Sequence, residues 1–371
     1  MTESIYPVPY PRRRIQRGIA RLAGRALVPL LTRTEIRGLE RFPKKGPLLV
    51  VGNHTAAMEV VLMVLYAPRQ LELLGPGDLP PHGAIGAIAR FHGYTGVHRG
   101  QADLGALTAM LGVLKQGGIV GLFPEGGIWD TGPREAKRGV AWLSQQAQAP
   151  VLPVGFGGIK GALDEMFRLK RPRLSMNVGE LIPPVQCPRG KGRKACLQAA
   201  AAEILDAIMA LVPEDERPDQ FQPLDERFEF DVTVRDGQGG EVVVPEHLAL
   251  AHGAAVCKFF YRPALLNIFY KDVHLPVEAL KELGEVRAPG AIAAALCAVL
   301  GYLDGNPYFF TYRYGREEGG AMGAGIRELH ALMAWAEEAG ASVQIRAARR
   351  YYLPGEADEI VETDPGETYA W

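Results

Sequence analysis

The sequence predicts an α/β protein: a central, mostly parallel sheet flanked by helices, preceded by an N-terminal amphipathic helix and followed by a second α+β unit. Three observations predict it. Between Gly46 and Pro184, short apolar runs alternate with longer stretches of helical period, the pattern of a sheet covered by helices. Ahead of them, Arg14 to Leu31 carries Ile15, Ile19, Leu22, Ala26, Leu27, Leu30 and Leu31 at mixed three- and four-residue steps, with arginines between. After them, Val212 to Asp225 is rich in proline and acids and reads as a linker, beyond which strands and helices resume.

On this reading the 371 residues divide into five parts. They are a basic amphipathic, membrane-proximal segment (1–45), an α/β domain (46–212), a linker (213–226), a C-terminal α+β domain (227–352) and an acidic tail (353–371) read as a solvated, partly disordered end. Residues 1–45 hold eleven arginines and lysines against Glu3, Glu35 and Glu40. Two readings of the basic helix stay open. It lies on an anionic membrane surface, arginines toward headgroups and leucines into the acyl boundary. Or it packs on its own domain with a solvated charged face.

In the α/β part, strands are expected at 48–51, 95–98, 119–123, 151–156 and 174–178. Helices are expected at 57–66, 103–115, 137–146 and 195–211. Beyond the linker, strands are expected at 228–235, 241–245, 308–314 and 342–346, and helices at 246–261, 277–283, 291–303 and 325–339. The glycine-rich run Gly319 to Gly325 matches neither GxGxxG nor a Walker loop and reads as a flexible turn opening a helix.

Bulk composition narrows the function classes. Hydrophobic residues make up 47% and charged residues 22%, an ordinary globular balance. A net charge of −1 gives no general case for nucleic acid. Cys187, Cys196, Cys257 and Cys297 are scattered without a CxxC pair, so neither a zinc site nor a disulfide framework is expected, and a reducing compartment is. No secretory pattern and no run of about 18 apolar residues is found, so no membrane span is expected.

The chemistry concentrates at two strand exits. Asn53-His54-Thr55-Ala56-Ala57-Met58-Glu59 follows the first apolar strand, and Phe123-Pro124-Glu125-Gly126 follows the third. Positions five apart do not share a helical face. With His54 in the turn and Glu59 in the first helical turns, the carboxylate can fold back to the imidazole. It would hold one ring proton and leave the other nitrogen as a base. The bland alternative is a capping histidine at a helix start. His92 and His98 read as structural, and His247 and His252, off a common face, do not make a metal site.

Together the blocks resemble the glycerolipid acyltransferase family, over roughly residues 15–210. The family order is NHxxxxD, Gly-x-x-x-[Ile/Val]-x-Arg, FPEG and an apolar strand with a proline. Here it is matched by Asn53-His54 with Glu59, by Gly93 to Arg99, by Phe123 to Gly126, and by Pro150-Val151-Leu152-Pro153-Val154. The resemblance implies that His54 takes a proton from an acceptor hydroxyl attacking an acyl thioester, and that Glu59 fixes the tautomer. It implies that Arg99, Glu125, Gly126, Lys137 and Arg138 serve acceptor or anion binding, that Asn53, Phe123, Pro124 and Gly127 support them, and that backbone N–H groups near Gly126-Gly127 or a helix start stabilise the oxyanion.

No cofactor or metal is implied, only acyl-CoA or acyl carrier protein as co-substrate. The partners implied are that donor, a lysophospholipid-like acceptor and an anionic membrane surface, for a cytoplasmic protein peripheral on the inner face of the membrane. Two departures bear on the acceptor. Glu59 stands for the usual aspartate, and Gly127-Ile128-Trp129-Asp130 replaces the usual Thr-Arg-Ser with its phosphate-binding arginine. A non-phosphate acceptor, a non-catalytic lipid-binding module and a second chemistry beyond Asp225 are the competing readings.

Overall fold

The structure is a computed structural model that describes residues 6–77, 83–100, 103–127, 136–217, 225–281, 284–286, 288–352 and 359–363. It splits into two compact units, 1–98 with 102–221, and 99–101 with 222–371.

The first unit runs α1 (Arg14–Leu31), β1 (Arg33–Arg37), β2 (Leu48–Gly52), α2 (Met58–Tyr66), β3 (Leu71–Pro76), α3 (Gly83–His92), β4 (Thr95–Val97), α4 (Leu104–Lys115), β5 (Ile119–Leu122), α5 (Gly139–Ala147), β6 (Val151–Gly157), α6 (Ala162–Phe167), β7 (Arg173–Val178) and α7 (Arg193–Met209). Its seven strands form one sheet in the order β1-β7-β6-β2-β5-β3-β4. Every neighbouring pair is parallel except β6 with β7. This is the mostly parallel α/β layer that the sequence predicts.

The alternation of strand side chains sorts the core into two layers. Leu49 and Val51 of β2 face Met110, Val113, Val140, Leu143, Leu197 and Ile204 from α4, α5 and α7. Leu48 and Val50 face Val28, Met58, Leu62 and Ala162 from α1, α2 and α6. β2 is buried along its whole length, which explains its unbroken apolar sequence. Elements absent from the sequence reading include β1, β3, α3 and α6; in β3 (LELLGP) the buried Glu72 interrupts the apolar run. β1 (RTEIR) is an edge strand with alternate residues exposed. α3 (GAIGAIARFH) opens on glycine, a poor helix former.

The helix α1 packs on its own domain, but through its arginine face, which the second reading had left to solvent. Arg17, Arg21 and Arg25 recur at steps of four and turn toward the domain. Arg25 Nε donates to Leu65 O at 2.6 Å, and Arg21 Nη2 donates to Ala67 O, covering carbonyls at the end of α2. Arg17, 1% exposed, forms a two-pronged ion pair with the fully buried Glu72 of β3. Ile15, Ile19, Leu22 and Leu30 point outward and are exposed, as are Ile88 and Phe91 of α3. The charged face is packed and the apolar face is not.

A disulfide joins Cys187 to Cys196 at the start of α7. It overturns the expectation of no disulfide and removes the cysteine argument for a reducing compartment. Scattered spacing is no obstacle, because the chain turns back between the two residues and brings their Cα atoms to 5.8 Å.

The second unit contains β8 (Asp225–Arg235), β9 (Glu241–Val242), α8 (Gly253–Phe260), α9 (Pro263–Asn267), β10 (Glu285–Val286), α10 (Pro289–Gly305), α11 (Phe309–Tyr314), α12 (Arg316–Glu338), β11 (Ser342–Tyr352) and β12 (Glu359–Thr363). Its antiparallel sheet runs β10-β11-β8-β9, with β12 also on β11. Three expectations are corrected here. Residues 308–314 were expected as a strand, yet Phe309–Tyr314 is helical. Consecutive Phe309 and Phe310 are both buried beside Phe259 and Phe269, whereas a strand would send them to opposite faces.

The glycine run lies inside α12 rather than in a turn. A Cβ on Gly319 would sit 2.6 Å from the Phe310 backbone, and one on Gly325 would sit 2.5 Å from Val256, so these glycines let α12 approach α11 and α8. Residues Glu359–Thr363 of the acidic tail form a strand on the edge of β11, with Glu362 in register with Arg350.

Burial, and after it the Arg17 guanidinium, push His92 down to about 4 from 6.5. Between those pH values the unfolded chain binds a proton that the folded chain does not, so stability falls as pH drops through that window. The His92→Gln protein is expected to lose less stability between pH 6.5 and 4 in urea titrations followed by circular dichroism. An equal loss in both proteins would contradict the assignment.

Candidate functional site

The site forms where β2 and β5 end side by side in the middle of the sheet. Asn53 leaves β2 and completes its pairing with β6 by side chain. Its amide Nδ2 donates to Phe156 O at 3.0 Å, and Phe156 N donates to Asn53 Oδ1 at 2.7 Å. That clamp is 3% exposed and fixes where the chain departs the sheet. The next residue, His54, donates its backbone N–H to Glu125 Oε1 at 3.0 Å. Glu125 is 1% exposed, so the second block holds the first through a buried hydrogen bond.

Glu59 lies in the first turn of α2 and is fully buried. One oxygen, Oε1, faces three donors: His54 Nδ1 at 2.9 Å, Thr55 N at 2.6 Å and Ala56 N at 2.8 Å. The carboxylate thereby closes the turn between strand and helix and orients the imidazole at once. A carboxylate accepts, so the ring proton belongs on Nδ1, and Nε2 carries the lone pair. The Phe123 ring stacks on the imidazole with centroids 4.3 Å apart and planes 17° from parallel. His54 is therefore held on one face and at one nitrogen. Its side chain keeps 20% of its surface exposed, which leaves it within reach of a substrate.

The other residues singled out in the sequence fall as follows. Pro124 O accepts the backbone N–H of Lys137 at 2.7 Å, tying the third block to the start of α5. The side chains of Lys137 and Arg138 are exposed there. Gly126, at φ +77°, closes the turn by donating its N–H to Phe123 O at 3.0 Å. That N–H is therefore not aimed at a substrate, and those of Thr55 and Ala56, just before α2, are taken by Glu59, so these three are engaged within the protein. Gly127 is buried. Ile128, Trp129 and Asp130 lie outside the described residues. Arg99 follows β4 two residues after its end.

One pairing was not read from the sequence. His98 Nδ1 lies 3.0 Å from Asp103 Oδ2, and its backbone N–H donates to the same oxygen. Asp103 caps α4 and is held at about 2 by the backbone N–H groups of Ala106 and His98. The available signal was an aspartate directly before an apolar helix, the usual N-cap position. Among the described residues no group of His, Cys, Asp and Glu suits a metal ion.

Comparison with known proteins fits this geometry. Residues 33–157 match the family model described as Acyltransferase. The human 1-acyl-sn-glycerol-3-phosphate acyltransferase alpha is 30% identical over 160 residues, which cover 41% of this chain and 55% of that protein. The Bacillus subtilis 1-acyl-sn-glycerol-3-phosphate acyltransferase is 24% identical over 143 residues, 38% of this chain and 69% of that protein. The chain thus spans about half the length of the human and mouse relatives it matches. A solved 1-acyl-sn-glycerophosphate acyltransferase from Thermotoga maritima covers 53% of this chain and 83% of its own, with a TM-score of 0.38 and 19% identity.

The Asn53 clamp makes a direct structural prediction. The Asn53→Ala change leaves the Phe156 N–H and C=O buried without their partners, an expected loss of about 1–3 kcal/mol in urea unfolding. A stability equal to that of the unaltered protein would show that the clamp is dispensable.

Proposed function

On the premise that residues 33–157 are a domain of the glycerolipid acyltransferase family, we propose that this protein moves a fatty acyl group from an acyl thioester to a hydroxyl of a lysophospholipid-like acceptor. The donor is acyl-CoA or acyl carrier protein, and the acceptor is 1-acylglycerol-3-phosphate or a related lipid. The observation that carries the reading is the buried Glu59 carboxylate 2.9 Å from His54 Nδ1, with Nε2 left as the base.

In the reaction, His54 Nε2 takes the proton of the acceptor hydroxyl as its oxygen bonds to the thioester carbon. The imidazolium that forms is stabilised by Glu59. Collapse of the tetrahedral intermediate breaks the C–S bond, and Nε2 returns the proton to the leaving sulfur. No residue of the protein is acylated. Glu125 acts through the backbone of His54 as a positioning residue. Arg99, Lys137 and Arg138 hold the anionic groups of acceptor or donor, since guanidinium and ammonium groups suit phosphate oxygens.

The acceptor reaches the site from a membrane surface. Among the described residues no helix is long and apolar enough to cross a membrane. The outward stripe of α1, with Ile15, Ile19, Leu22 and Leu30, meets the acyl boundary while its arginines hold the domain. Exposed Arg14, Lys44 and Lys45 add attraction to anionic lipid. Donors carried by CoA or carrier protein put this surface on the inner, cytoplasmic face.

Purified protein given a labelled acyl thioester and a panel of lysophospholipids, polyols and glycolipids is expected to release thiol and form an acylated lipid. His54→Ala is expected to lose this by at least about 100-fold, as for loss of a general base. Equal turnover by that variant would refute the assignment. In co-sedimentation with neutral phosphatidylcholine vesicles, the Ile19→Glu/Leu22→Glu protein is expected to partition at least about 10-fold more weakly. Undiminished binding would remove α1 from the membrane contact.

A further inference from the structure

The inner face of α1 does more than anchor that helix. We propose that Arg17, assisted by Arg13 and Gln16, is a positioning residue for the acceptor. It fixes the His92–Gly93 turn from which β4 and the block ending at Arg99 run. The inference rests on the reading above, in which that block serves acceptor binding.

Every nitrogen of the Arg17 guanidinium is engaged. Nε donates to His92 O at 2.8 Å, Nη1 to Glu72 Oε1 at 2.5 Å, and Nη2 to Glu72 Oε2 and Gly93 O, both at 3.0 Å. One turn earlier, Arg13 Nη1 donates to Arg90 O at 2.7 Å and to Phe91 O at 3.0 Å, and Gln16 Nε2 donates to Phe91 O at 2.6 Å. The carbonyls of Arg90, Phe91 and His92 are those of the last turn of α3, which lack intrahelical partners and form the negative end of its dipole. Side chains of α1 thus cap α3 from outside. The chain then leaves through Gly93 at φ +78° and enters β4, which pairs with Leu74–Pro76 of β3.

Glu72 lies on the same strand, two residues before that pairing starts. Arg12 Nε reaches it at 2.8 Å as well. Arg17 therefore spans the two strands' supports: one prong pair is fixed on β3 through Glu72, and the remaining donors fix the entry to β4. A buried ion pair is a poor source of net stability, because desolvation offsets the attraction. Its directional bonds specify geometry instead. Here the geometry specified is the start of the Gly93–Arg99 block, and the specifying side chain comes from the helix whose opposite face is apolar and exposed.

The test uses the full chain with acceptor presented in phosphatidylcholine vesicles. Two variants separate positioning from folding. Arg13→Gln removes an exposed side chain that donates to the end of α3. Arg17→Met/Glu72→Gln removes both charges of the fully buried pair together; Arg12, which also pairs with Glu72, is 23% exposed and keeps contact with solvent. For both, the acceptor KM is expected to rise on the order of 10-fold, with kcat and the donor KM within about twofold. Hydrogen exchange at the amides of 93–98 is expected to quicken, with the α2 amides unchanged.

An unchanged acceptor KM together with unchanged exchange at 93–98 would overturn the inference. If the unaltered protein transfers no acyl group, it is the functional reading that fails, and the exchange measurement still decides whether Arg17 fixes the turn.

Discussion

A single buried oxygen, Glu59 Oε1, decides the arrangement of the site. It accepts the ring proton of His54 and the amides of Thr55 and Ala56, and so turns the chain from β2 into α2 while orienting the base. An ionised carboxylate without donors would be costly at zero exposure. The turn geometry and the imidazole orientation are therefore not independent. Asn53 and Glu125 extend the same logic: Asn53 ties the end of β2 to Phe156 of β6, and Glu125, beyond β5, accepts the backbone N–H of His54. Catalytic precision, on the proposed reading, comes from rigid strand ends rather than from a flexible loop.

The second constraint is the inward row of arginines on α1. An amphipathic helix normally buries its apolar stripe. Here Arg17, Arg21 and Arg25 are turned to the domain and satisfy Glu72 and the carbonyls at the ends of α2 and α3, while the apolar stripe is left outside. In water that arrangement forgoes a hydrophobic gain. Against the acyl boundary of a membrane it does not, which is why the exposed stripe and the lipid acceptor belong to one proposal.

The α/β class was legible in the sequence because β2, β5 and β6 are buried on both faces and read as compact apolar runs. The fold-back of Glu59 onto His54 was one of two readings of that spacing, a capping histidine being the other, and the resemblance of the surrounding blocks to the acyltransferase family favoured it. Other features depended on tertiary neighbours. Helix period gives the two faces of α1 but not which one packs, and only the carbonyls at the ends of α2 and α3 decide that. The aromatic run at Phe309 has strand propensity, and burial of both Phe309 and Phe310 in one core overrides it. The glycines of α12 look like a turn until the close approach of α8 and α11 is known. The Cys187–Cys196 bridge requires a chain reversal that no spacing rule encodes.

The central claim is direct transfer to the acceptor hydroxyl with His54 as base and no acylated protein. Intact-mass spectrometry of the protein mixed with acyl thioester, with and without lysophospholipid, tests it most directly. The account predicts that the protein mass stays unchanged in both mixtures, and that thiol release and acylated lipid arise together only when acceptor is present. A stable acyl adduct on the protein, or thiol released at the same rate without acceptor, would contradict it.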